Sequence, residues 1–84
     1  MPLFMDVHEQ LPEGATAHDV AEAHKADVKI QEQYRVKYQR YWVDEPNAKV
    51  FCLVEAPDAD AAIAVHREAH GLVADKIYEV VEGS

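Results

Sequence analysis

The chain has 84 residues, 49% of them hydrophobic, and its 16 acidic residues outnumber eight basic ones to leave a net charge of -8. That length suits a single domain spanning residues 1–84, and the apolar content is too high for a disordered chain. An acidic surface repels nucleic acid and anionic lipid and attracts cations, and no apolar run reaches the roughly 20 residues needed to span a bilayer.

Pro2–Glu9 alternates Leu3, Met5 and Val7 with Phe4, Asp6 and His8, which predicts a strand. The same segment has neither a basic n-region nor a long apolar stretch, so it does not read as a secretion signal. With one cysteine, Cys52, the chain has no internal disulfide framework, which fits a cytoplasmic protein. Pro12 and Gly14 then punctuate the chain. Thr16 is a good N-cap with Asp19 in the capping-box position, and Thr16–Tyr34 reads as one long helix without Gly or Pro. Val20, Ala21, His24, Val28 and Gln31 fall on one side of it.

Val36–Val43, rich in Tyr, Val and Trp, predicts a second strand. A turn at Asp44-Glu45-Pro46-Asn47 leads into a third strand, Ala48–Glu55, whose continuous apolar run predicts a central position. Pro57 precedes a second helix, Asp58–His70, which Gly71 ends at the C′ position. Ala74–Val81 closes the chain as a fourth strand. The order is that of an α+β, ferredoxin-like βαββαβ fold, an antiparallel sheet with two helices on one face. The other face, if it carries Tyr, Trp and Phe, needs a cover, and a second copy of the chain is the simplest one.

Five histidines in 84 residues form the main chemical signal. His66 and His70 stand at i and i+4 on the second helix, about 5–6 Å apart at Cβ, a spacing that lets two imidazoles share a metal ion. Such pairs also occur as helix C-terminal cations with no ligand. The sequence H-R-E-A-H places Arg67 where a zincin needs Glu, which argues against a metalloprotease. Topology carries the end of the first strand, with Asp6 and His8, to the edge where the second helix ends, and Trp42 is expected at that edge too. Three histidines and an aspartate there make either a nitrogen/oxygen metal site or a hydrogen-bonded polar cluster without metal. His24, in mid-helix, reads first as a core residue, His18 as an exposed one, and Cys52 as a small buried apolar group. No glycine-rich phosphate loop is visible, and the only serine, Ser84, is the last residue, so no Ser/His/Asp nucleophile set exists.

The segments M-D-V-H near the start, V-A-E-A-H in the first helix, Y-W before the turn, F-C-L-V-E-A-P in the third strand and V-H-R-E-A-H-G-L-V-A-D at the end of the second helix resemble the small actinobacterial nickel-binding proteins. The resemblance runs over nearly the whole chain, and the last two segments are the most specific. It implies a ferredoxin-like fold, a homodimer, and sequestration or buffering of nickel (Ni2+) rather than enzymatic activity. It also makes Asp6, His8, His24, His66 and His70 the candidate metal ligands. The residues alone do not select nickel, since copper and zinc compete for such donors. The competing reading is a small dimeric oxygenase or cyclase that uses an Asp-His pair in a cleft between sheet and helices.

Overall fold

A computed structural model describes residues 1–83. The chain forms β1 (Leu3–His8), α1 (Ala17–Ile30), a 3₁₀ turn (Gln31–Tyr34), β2 (Lys37–Asp44), β3 (Lys49–Glu55), α2 (Ala59–Ala69) and β4 (Lys76–Val80). The strands make one sheet in the order β2-β3-β1-β4 with every neighbour antiparallel. This is the ferredoxin-like arrangement that the βαββαβ order predicts.

Local signals explain the boundaries. Thr16 caps α1 through its side chain, which accepts from Asp19 N, while Asp19 Oδ2 accepts from Thr16 N at 2.8 Å. These two bonds satisfy amides that the first helical turn leaves without partners. The helix is shorter than the sequence suggests. It ends at Ile30, tightens into the 3₁₀ turn, and stops where Arg35 adopts a left-handed conformation at φ 59°. Asp58 caps α2 by accepting from Ala61 N at 2.8 Å. At its other end Gly71, at φ +80°, donates to His66 O at 2.9 Å, as a C′ glycine does.

Strict alternation sorts the side chains of β1 and β3 between two faces. Phe4, Asp6 and His8 from β1 and Val50, Cys52 and Val54 from β3 lie buried beneath the helices. Leu3, Met5, Val7, Phe51 and Leu53 are half-buried on the opposite face. A bulge between Tyr38 and Arg40 shifts the phase of β2. Tyr38, Tyr41 and Val43 thereby pair with the buried Val54, Cys52 and Val50, and all three side chains belong to the helix layer. Trp42 pairs with Phe51 on the open face and is 49% exposed. Trp42 thus lies at the edge where β1 ends, as expected, but on the sheet face opposite the histidines, because neighbouring residues of a strand point to opposite faces. Val54, Val65, Ala56 and Ala62 form the driest part of the core, next to Asp6 and His66.

Candidate metal centre

Two carboxylates and three imidazoles meet beneath the helices. β1 supplies Asp6 and His8 two residues apart, so both belong to the buried face. α2 supplies His66 and His70 from successive turns, and α1 supplies Asp27. Asp6, Asp27 and His66 are 1%, 3% and 2% exposed, which makes their pairing obligatory.

The pairing is centred on His66. Its Nδ1 lies 2.9 Å from Asp27 Oδ1 and its Nε2 3.0 Å from Asp6 Oδ2. Both neighbours can only accept, so both ring nitrogens donate and the ring is an imidazolium. Burial opposes that charge, but hydrogen bonds to Asp27 and Asp6 and their negative charges outweigh it and push the His66 pKa up to about 9. Burial likewise works against ionised Asp6 and Asp27, and the histidines around them more than offset it, so both carboxyls titrate below their ordinary range.

Tyr38 adds a third contact to Asp6. Its hydroxyl lies 2.9 Å from Asp6 Oδ2 and 3.1 Å from Ala62 O, and its one proton is shared between them. Burial first, then the Asp6 charge, holds the phenol far above its usual pKa. Asp6 Oδ1, in contrast, is buried with no hydrogen-bond partner among the described residues. His8 Nε2 is 3.5 Å from it, too far for a strong hydrogen bond. Cys52 belongs to the same group, but burial and the Asp6 charge keep it a thiol.

His70 is held on the far side of Asp27. Leu72 N donates to His70 Nδ1 at 3.0 Å, which leaves the proton on Nε2, 3.1 Å from Asp27 Oδ1. The i, i+4 pair thus shares a carboxylate, with ring centroids 5.0 Å apart. Among the described residues two sets of donor atoms come close enough to surround an ion: Asp6, His8, Cys52 and His66, and Asp27, His66 and His70. The structure brings together four of the five residues singled out in the sequence. His24 stands apart from both sets and packs on Tyr41, with centroids 4.8 Å apart. His18 is exposed, as expected.

Asp27 and Tyr38 escaped the sequence reading. Asp27 lies seven residues after Val20 and three after His24, on the inward stripe of α1, whereas Val28, assigned to that stripe, is 46% exposed. The spacing could have revealed Asp27, but an acidic residue on a helix is ordinarily a solvent-facing one. The orientation of Tyr38 depends on the bulge, which no period-two pattern predicts.

Comparison with known proteins places these features in a family. Residues 4–80 match the model of the nickel responsive protein SCO4226-like family. The chain belongs to the SCO4226-like family. The crystal structure of SCO4226 from Streptomyces coelicolor A3(2) is similar to the chain with a TM-score of 0.89 and 35% sequence identity, over 98% of this chain and 99% of that one. No curated protein matches the chain. The SCO4226-like match spans the three strands and two helices that carry the buried cluster among the described residues. No helix among the described residues is long and apolar enough to cross a membrane.

Proposed function

We propose that the chain binds nickel through Asp6, His8 and His66 and serves to sequester or buffer the ion as a homodimer in the cytoplasm. The observation that carries this reading is the orphaned, buried Asp6 Oδ1, on a carboxylate that has His8 on one oxygen and His66 on the other. An unpartnered carboxylate oxygen is costly inside a protein, and a cation there would satisfy it. Neighbouring donors on one ion at a bond length of ~2.1 Å stand ~3.0–3.4 Å apart in octahedral or tetrahedral geometry. His8 Nε2, 3.5 Å from Asp6 Oδ1, needs little adjustment to meet that, and His66 Nε2, now 3.0 Å from the other oxygen of the same carboxylate, lies with them in a donor group no wider than 4.8 Å. The ion would displace the Nε2 proton of His66, while Asp27 would keep the Nδ1 proton and hold the ring in place. The nitrogen and oxygen donors of His8, His66 and Asp6 suit divalent nickel, and the family's nickel responsive character favours it over zinc or copper. His70 acts through Asp27, and His24 is not a ligand in this reading.

The homodimer rests on the open sheet face. Register places Trp42, Phe51 and Val7 in one row, and Arg40, Leu53, Met5 and Tyr78 in the next. Trp42 and Tyr78 are half exposed there, a patch that a second copy would cover.

Titration calorimetry of chelator-treated protein at pH 7.5 tests the metal reading. It expects saturable nickel binding with proton release, the amount of which is read from buffers of different ionisation enthalpy. Absence of saturable heat would remove the metal function and leave the cluster as a structural one.

A further inference from the structure

A cleft of about 300 Å³ opens between α1, the sheet, the end of α2 and the loop after β1. Leu11, Pro12, Val20, Ala23 and Val50 supply apolar walls, and His8 and His24 also line it. The volume is at the lower end for small-molecule sites and holds a body of one or two fused rings. His24 has no hydrogen-bond partner among the described residues, and His8 only the long 3.5 Å approach to Asp6. Two imidazoles with hydrogen-bonding capacity to spare thus face a largely apolar space. Among the described residues no lysine or arginine lines the cleft, whereas Glu13, Asp19 and Asp27 do. That charge balance disfavours an anion. Asp27 is already paired with the His66 imidazolium and His70, so the interior offers no free carboxylate to hold an ammonium group.

We propose that this cleft binds an uncharged aromatic alcohol or a compound of that class, its ring against Leu11, Val20, Ala23 and Val50 and its hydroxyl hydrogen-bonded to His24. A neutral imidazole nitrogen accepts the hydroxyl proton, and the ring replaces water against the apolar walls. The site does not depend on a metal, and the binding reading of the ion can fail without affecting it.

The test titrates chelator-treated, methyl-labelled protein with 1-naphthol and observes it by NMR, with 1-naphthoate as the charged counterpart. Saturable shifts are expected at the methyls of Leu11, Val20 and Val50 and not at Leu3 and Leu53 on the opposite sheet face. 1-Naphthoate should bind roughly tenfold more weakly or worse, and Ala23→Phe, which fills the cleft, should weaken 1-naphthol by about the same factor. Loss of the hydroxyl contact in His24→Ala should weaken 1-naphthol several-fold. Absence of shifts in the parent, shifts centred on Leu3 and Leu53, or equal affinity for the two probes would overturn the proposal. The shift map on the parent protein decides the matter even should Ala23→Phe fail to fold.

Discussion

His66 Nδ1 lies 2.9 Å from Asp27 Oδ1, a bond that ties the last turns of the second helix to the middle of the first. With Asp6 on the opposite ring nitrogen, the bond makes one imidazolium the junction of both helices and the first strand. Charges this deeply buried stabilise only as a set, because removing one leaves the others unpaired. His66→Ala should therefore destabilise the protein by about 3–5 kcal/mol, and Asp27→Asn by a smaller amount, since its amide can still accept from Nδ1. Urea unfolding of the two variants checks the order.

The same pairing sets the pH dependence of stability. His66 is raised from 6.5 to about 9 in the folded chain, so its contribution is complete below pH 6.5 and is lost as pH rises through 9. Asp6 and Asp27 are lowered from 3.8, so their contribution is complete above that value and is lost as the pH falls through their folded-state values. Both trends describe one set of ion pairs. Metal-free protein should be most stable between about pH 4 and 6.5 and lose on the order of 3 kcal/mol between pH 6.5 and 9. Urea midpoints measured at pH 5.5 and 9 test this, and His66→Ala should flatten the difference.

Nickel affinity should run the other way, because the ion competes with the Nε2 proton of His66. Binding should strengthen as pH rises from 6 toward 9, by roughly tenfold per unit where that proton is the one displaced. Titrations in a weakly coordinating buffer at pH 6, 7 and 8 provide the measurement.

His70→Ala should weaken nickel by less than His66→Ala does, since His70 reaches the site only through Asp27. The double variant should cost less than the two single effects added together, because both residues serve one centre. His18→Ala should leave affinity unchanged, its side chain being 80% exposed.

Assembly can be tested apart from metal. Trp42→Glu and Tyr78→Glu place charge on the half-exposed open face, 49% and 50% accessible in the single chain, without touching the buried cluster. Each should convert a sedimenting dimer into a monomer with the fold intact.

Much of this architecture is legible in the residues. The alternation of Leu3–His8, the Thr16 and Asp58 caps and the glycine at 71 each act within a few residues of the chain, and β1 and α2 formed near their expected bounds, while α1 gave way to a 3₁₀ turn at Gln31. The convergence of His8 and Asp6 with His66 follows from topology. What could not be read is how the side chains partition around His66. The helical spacing suggested that His66 and His70 would chelate together, whereas their nitrogens converge on Asp27 and the far nitrogen of His66 turns to Asp6. Asp27 and Tyr38 depend on the rotation of a helix and a bulged strand, both set by packing over many residues. Nickel itself entered through family resemblance, since two imidazoles and a carboxylate select no single metal.

Nickel titration of His8→Ala beside the parent protein, at pH 7.5 after chelator treatment, bears most directly on the proposed centre. His8 contributes only a 3.5 Å approach to Asp6, so its removal leaves the Asp6–His66–Asp27 set and the fold in place. The account predicts that the folded variant binds nickel at least about tenfold more weakly, as expected when one ligand of a shared ion is lost. Undiminished nickel affinity in a folded His8→Ala protein would contradict it and place the ion elsewhere.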